Sequence, residues 1–294
     1  MIDIFLDCDN TFGNPQAEID DGLLILYLLG EPRVRLRGIS LTFGNGPIDS
    51  VTDATESLLK LLGRKEIPVY RGAAEAGERE TPAARGIVET LAAEPETRLL
   101  ATGPLTNLAA AQKLRPGILA QAPAIALMGG VEAPLHYPKR EGRELNFSAD
   151  PESALKVLTA SDRVCLFPAE TCMQLLFGYR SLLTTLGWPS WARRTTWAWF
   201  RRFSSRYGTG GFYLWDLLPG IWLLEPELFA GERVRFLEPR EHPGSPGLEE
   251  GRLNVTPAGA SGALMVRRIS DPDRVMDLLK TGWRQALREA SSRG

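Results

Sequence analysis

The rhythm of hydrophobic and polar positions changes at about residue 170. Before that point short apolar runs recur at Ile2–Leu6, Val34–Thr42, Ile67–Tyr70, Arg98–Ala101, Ala124–Met128 and Val164–Phe167. These runs have strand length, and Gly, Asn or Pro turns separate them from amphipathic stretches. Asp49–Leu62 (ended by Gly63), Leu105–Leu114 and Pro151–Leu158 have helical spacing. Leu23–Leu29 reads as a further helix, opened by Asp20-Asp21 and stopped by Gly30 and Pro32. Such alternation predicts an α/β fold with an open, mostly parallel sheet flanked by helices. After residue 170 the pattern turns helical from about Ser181 to Arg206, breaks at Gly208-Thr209-Gly210-Gly211, and resumes near Trp215. All seven tryptophans lie between Trp188 and Trp283. Arg240–Gly251 reads as a surface loop and Asp271–Ala290 as a closing amphipathic helix. No repeat or linker composition divides the chain, so residues 1–294 are expected to form one domain with a helical C-terminal extension.

Composition narrows the function. The 294 residues are 44% hydrophobic and 24% charged, as in ordinary globular proteins, and the net charge of -2 gives no reason to expect nucleic acid or an anionic membrane as partner. No apolar stretch reaches the ~20 residues that span a bilayer. Met1-Ile2-Asp3 opens without the basic and apolar regions of a signal peptide. The three cysteines, Cys8, Cys165 and Cys172, form no CxxC pair, and two lie in strand-like runs. They are expected to be reduced, buried thiols, and the protein cytoplasmic.

The candidate chemistry sits at strand ends, where ligands bind in open α/β sheets. The first strand runs into Asp7-Cys8-Asp9, and Asp20-Asp21 opens the helix that follows. Like charges crowded at one rim repel unless a hard cation or a shared proton sits between them; the pattern is read as a divalent metal site. After the second strand come Thr42-Phe43-Gly44-Asn45-Gly46, after the fourth Thr102-Gly103-Pro104-Leu105-Thr106-Asn107, and after the fifth Met128-Gly129-Gly130. Taken singly, Asp20-Asp21 could be a helix cap and the glycine stretches turns. Together they bring carboxylates, amides, a hydroxyl and glycines to one rim.

In this order and spacing the residues resemble the calcium-dependent nucleoside hydrolases, which cleave the N-glycosidic bond of ribonucleosides. The resemblance rests on Asp7-Cys8-Asp9 with Asp20-Asp21, Gly44-Asn45, Thr102 to Asn107, and Met128 to Gly130. It continues through Glu144-Leu145-Asn146 before Asp150-Pro151-Glu152-Ser153-Ala154, and Trp215-Asp216. It spans roughly residues 2–225 and implies a Ca2+ ion held by Asp9, Asp21, Asp216 and the Thr102 carbonyl. Asp9 would also be the general base towards a calcium-bound water. Asp20, Asn45, Met128, Glu144 and Asn146 match positions that hold the ribose, and Asp7 would support the site from behind. A homo-oligomer, dimer or tetramer, and a role in nucleoside salvage and purine metabolism are implied with it. The chain departs from the family in three places. Asn10–Ile19 lengthens the turn between Asp9 and Asp20, the stretch from Tyr70 to Arg98 lacks a His-Gly loop, and Trp215 replaces a histidine that serves as acid for the leaving base. Tryptophan there resembles the purine-preferring branch, with Phe12 or Tyr137 as a second stacking partner. Of the two histidines, His136 could approach the base, and His242 is expected in solvent. The aromatic run from Trp188 to Phe203 is expected to pack in the core or at a subunit interface.

Two other readings compete. Asp7-Cys8-Asp9-Asn10-Thr11 also fits the opening motif of haloacid-dehalogenase-type phosphatases, where Asp7 would be a phosphorylated nucleophile. A catalytically inactive relative that binds a ribosyl ligand would keep the same residues without turnover.

Overall fold

The computed structural model describes residues 1–237 and 248–293. His242 and most of the Arg240–Gly251 segment lie outside the described residues. The central sheet has nine strands: β1 (Ile2–Cys8), β2 (Val34–Leu41), β3 (Val69–Tyr70), β4 (Arg98–Ala101), β5 (Ile125–Met128), β6 (Val164–Phe167), β7 (Phe229–Phe236), β8 (Val255–Pro257) and β9 (Ala263–Ile269). Their spatial order is β8-β7-β9-β6-β5-β4-β1-β2-β3. From β3 to β9 every neighbouring pair is parallel, while β7 runs antiparallel to both β9 and β8.

The order 3-2-1-4-5-6 reverses direction between β1 and β4, which opens the switch-point crevice where open α/β sheets bind ligands. Asp7 lies opposite Ser40 of β2 and ends the pairing with β4 opposite Ala101, while Cys8 ends the pairing with β2 opposite Leu41. β1 is long and buried because Ile4, Phe5, Leu6 and Cys8 are covered on both faces. One large apolar cluster includes Leu6, Leu24, Ile39 and Trp283; a second gathers Phe5, Leu99, Leu127 and Phe147.

Helix Asp20–Gly30 buries all but one of its residues, so it is apolar on every side. It is held between the sheet and the terminal helix Pro272–Arg293, whose Trp283 Nε1 donates to the Leu23 carbonyl at 2.8 Å. The two backbones meet at Gly30 and Gly282, where a side chain on Gly30 would strike the Gly282 carbonyl.

The expected strands are present with ends shifted by a residue or two, as are the helices, now Ile48–Leu61, Thr106–Leu114 and Pro151–Leu158. Two features differ. The late chain is not only helical: β7, β8 and β9 extend the main sheet, with β9 parallel to β6. The expected Ser181–Arg206 helix is split, because Pro189 cannot continue a helix and instead precedes a new one, Ser190–Tyr207. All three cysteines are buried and unpaired. No helix among the described residues is long and apolar enough to cross a membrane.

Candidate active site

At the tip of β1 two carboxylates take different partners. Asp7 points under the rim: Ser40 Oγ and Asn107 Nδ2, the latter at 2.8 Å, donate to its Oδ1. Asn107 Nδ2 also donates to the Leu41 carbonyl, while its Oδ1 accepts from Ala73 N–H at 3.0 Å. One amide thus ties the ends of β1, β2 and β4 together. Burial still pushes the Asp7 carboxyl up to about 7, against the pull of these two hydrogen bonds.

Asp9 is positioned from the β2 end. Asn45 donates to it twice, from its backbone N–H at 2.6 Å and from Nδ2 at 3.2 Å. Gly44 makes this possible. Its φ of +149° lies in the region glycine favours, and a Cβ there would sit 2.0 Å from Asp9 Oδ2.

Asp20 and Asp21 form the first turn of their helix but neither caps it. Asp21 accepts the Thr102 hydroxyl at 2.7 Å and meets the carboxyl of Asp9; Asp20 meets the carboxyl of Asp216. All four are buried. Desolvation is the largest influence on each and raises it, Asp9 and Asp20 to about 6 and Asp21 and Asp216 well above the usual carboxylate range. Among the described residues, both oxygens of Asp20 and one of Asp21 have no hydrogen-bond partner. Among the described residues no three His, Cys, Asp or Glu side chains converge as a ready metal cage. The carboxyls meet two by two, as proton-sharing pairs do. The donor set is nonetheless all oxygen, buried and, among the described residues, without an ion pair to Lys, Arg or His, which suits a hard divalent ion that would separate the pairs.

Thr102 follows the last residue of β4, and Met128 ends β5. Asn146 bridges them, with Nδ2 donating to the Thr102 carbonyl at 3.0 Å and the Met128 carbonyl at 3.1 Å. Glu144 holds the loop carrying Asn146: its carboxylate accepts the backbone N–H groups of Gly130, Asn146, Phe147 and Ser148 at 2.8–3.1 Å.

These groups open onto a cleft beside the sheet rim. Asn45, Thr102, Met128, Glu144, Asn146, Trp215 and Asp216 line it; Asp9, Asp20 and Asp21 lie buried beneath. Trp215 is fixed by Cys172, whose Sγ lies 3.4 Å from its carbonyl, and by Tyr213 with ring centroids 5.1 Å apart. Tyr137 reaches the cleft, whereas Phe12 packs against Trp191 elsewhere. His136 does not line the cleft; its exposed ring lies 3.6 Å from Glu141. The aromatic helix Ser190–Tyr207 does pack into the core through Trp199, but it also lines the cleft with Phe203 and Tyr207. Sequence periodicity gave no sign of that, because a residue facing a cavity and one facing the core share the same spacing. Glu18, from the lengthened Asn10–Ile19 turn, was missed for a similar reason: a lone acidic residue in a turn carries no pattern.

Comparison with known proteins places the chain in a family. Residues 4–271 match the family model described as inosine-uridine preferring nucleoside hydrolase. An uncharacterized protein of Schizosaccharomyces pombe is 27% identical over 248 residues, 73% of this chain and 80% of that one. The pyrimidine-specific ribonucleoside hydrolase RihB of Escherichia coli is 28% identical over 185 residues, which span 53% of this chain and only 56% of RihB. Among solved structures, the purine-preferring ribonucleoside hydrolase from Gardnerella vaginalis superposes with a TM-score of 0.81 at 21% identity, covering 98% and 99% of the two chains. The inosine-uridine preferring nucleoside hydrolase from Bacillus anthracis superposes at 0.71 with 19% identity, covering 97% and 100%. At these identities the structural likeness concerns the fold.

Proposed function

The chain belongs to the inosine-uridine preferring nucleoside hydrolases, and from that premise we propose that it hydrolyses ribonucleosides to free base and ribose, with Asp9 as general base. The observation that carries this reading is the placement of Asp9. It is oriented by two donors from Asn45, sits among three further buried carboxylates, and lies under a cleft lined by amide, carbonyl and carboxyl groups.

Asp9, Asp21, Asp216 and the Thr102 carbonyl would hold a Ca2+ ion. Bound there, such an ion supplies charge neutralisation for the carboxylates and polarises water and ribose hydroxyls. Asp9 takes the proton of the attacking water, its carboxyl held in place by the Asn45 backbone N–H on Oδ2 and Nδ2 on Oδ1. Asp20, Asn45, Met128, Glu144 and Asn146 surround the position of the ribose and fix its hydroxyls, so that the ring is presented in one orientation. The buried negative groups stabilise the positive charge that grows on the sugar as the glycosidic bond lengthens. Trp215 stacks on the base, which favours purines, with Tyr137 as the second aromatic surface. Support for one continuous domain over residues 1–294 comes from a sheet that uses strands from Ile2 to Ile269. A cytoplasmic homo-oligomer acting in nucleoside salvage completes the proposal.

Asp7 is badly placed for the phosphatase alternative. It is buried, and its Oδ1 accepts two hydrogen bonds beneath the rim, so no phosphate could reach it in line. A panel of purine and pyrimidine ribonucleosides, assayed for free ribose with and without a calcium chelator, tests the reading. Ribose release that the chelator abolishes supports it. Tight calcium binding without turnover on any member would identify an inactive ribosyl-binding relative instead.

A further inference from the structure

The floor of the cleft is acidic, but its mouth is basic. Arg143 lines the cleft, is exposed, and makes no hydrogen bond or ion pair among the described residues. The guanidiniums of Arg140 and Arg206 each stand 5.5 Å from the centroid of the Tyr207 ring, which lines the same cleft. Their placement is built into the fold. The hairpin His136–Glu141 is docked on the end of the aromatic helix, where Lys139 donates from its N–H to the Tyr207 carbonyl and from Nζ to the Ser205 carbonyl, both at 3.2 Å. The rings of Tyr137 and Tyr207 meet there with centroids 4.5 Å apart. Gly142 closes the hairpin by donating its N–H to the Leu135 carbonyl at 2.8 Å, and Arg143 follows at once. Two acids stand nearby: Glu18, which attracts Arg206, and Glu141, which lies beside His136. Three arginines and Lys139 therefore outnumber the carboxylates at the mouth, and Arg143 has no counter-ion in the chain.

We propose that this mouth binds an anionic group on the ribosyl ligand, Arg143 foremost, so that the chain takes ribonucleoside 5′-monophosphates in preference to unphosphorylated ribonucleosides. The ribosyl part rests on the nucleoside hydrolase reading, which the inference deepens. A phosphate suits an unpaired arginine because the planar guanidinium donates two parallel hydrogen bonds to two of its oxygens. The charge layout selects the position of that phosphate. Asp9, Asp20 and Asp21 lie buried beneath the cleft, and a phosphate on a ring hydroxyl turned towards them would be repelled. The C5′ arm projects from the sugar ring instead. Arg143 directly precedes Glu144 and Asn146, which surround the ribose in that reading, and all three line the cleft. A phosphate on the arm meets the arginine without approaching the acids. The bond broken is unchanged. C1′–N opens with its electron pair leaving on the base, which takes a proton from solvent. Water oxygen bonds to C1′ and gives a proton to Asp9, and the products are free base and ribose 5-phosphate.

The test compares adenosine with its 5′- and 3′-monophosphates on the full chain in calcium, read as free base. kcat/KM is expected to be about 10-fold higher for the 5′-monophosphate than for adenosine, the scale of one charge-assisted hydrogen bond, with no gain for the 3′-monophosphate. Arg143→Gln should remove that preference, mainly through KM, and Arg143→Lys, which keeps the charge without the fork, should restore part of it. Lys113→Gln, on an exposed position of a different groove, should leave the preference as it is. Salt at about 0.5 M should shrink the wild-type preference, because exposed charges are screened. A wild-type ratio of one or less would overturn the proposal, as would a ratio that Arg143→Gln leaves intact or an equal gain for the 3′-monophosphate. Calorimetry with ribose 5-phosphate and with ribose reads the same site without turnover. Protein that hydrolyses none of the three substrates, yet binds ribose 5-phosphate more tightly than ribose and loses the difference in Arg143→Gln, would sink the hydrolase reading and keep the anion site. Equal binding of the two sugars would sink the anion site itself.

Discussion

The carboxylate side of the cleft and its aromatic side are built on different foundations. Asp9, Asn45, Thr102 and Met128 stand at the ends of adjoining parallel strands or within a few residues of them, cross-tied by Asn107 and Asn146. Their positions follow from the register of the sheet, and a shift of one strand would disturb all of them. Glu18, Tyr137, Phe203, Tyr207 and Trp215 come from a lengthened turn, a short hairpin, a helix and a loop outside the sheet. Each of these can change without altering a strand pairing. A rigid sheet rim thus carries the proposed chemistry, while appended segments line the rest of the cleft.

The sharpest way to break this contrast is Asp9→Ala. Turnover should fall by about 10⁴-fold, at the upper end for a general base, because calcium binding weakens too. In chelator the melting temperature should not fall, since one unneutralised buried carboxylate is removed. Ribose release near the wild-type rate would remove Asp9 from its role.

Asn107→Ala should show the sheet rim as structure. It leaves the Leu41 carbonyl and the Ala73 N–H without their Asn107 partner and Asp7 with Ser40 alone, a loss of about 2–4 kcal/mol read from the urea midpoint. An unchanged midpoint would mean that the strand ends hold themselves without this amide. On the aromatic side, Trp215→Ala should cost purine ribonucleosides up to roughly tenfold more kcat/KM than pyrimidine ones, the scale of one stacking contact. Equal losses would assign Trp215 to packing.

The mildest test is a slope. Burial raises Asp9 and Asp20 to about 6 and Asp7 to about 7 in the folded chain, above the ~4 of an unfolded aspartate. The folded state then binds more protons than the unfolded one between those values, so without calcium its stability should decline as pH rises from about 4 to 7. Calcium should flatten the decline, since the ion replaces the protons between the carboxyls. Thermal melts across that range in chelator and in calcium would read it, and identical slopes in both would place the ion elsewhere.

Much of the carboxylate side was legible in the chain itself. Strand ends can be located from apolar runs, and polar residues after them report a rim, which is why Asp9, Asn45, Thr102 and Met128 could be named together. The role of Asp7 was visible only as a preference, since nothing in Asp7-Cys8-Asp9 says which carboxylate faces the ligand. The three late strands were not foreseen either. Arg233 and Arg235 interrupt the apolar pattern of Phe229–Phe236, and only pairing with Ala263–Ile269 makes it a strand. The split at Pro189 carried a clear local signal that the helical spacing around it outweighed.

What the sequence by itself determined was the kind of fold and the identity of the polar groups at its rim, because both are written in local runs whose period survives without tertiary context. The tertiary structure alone decided that Glu18, Phe203 and Tyr207 share one cleft with Trp215, and that the four carboxyls meet in pairs. Those facts depend on how segments far apart in the chain are folded against each other, and no local pattern encodes such distances.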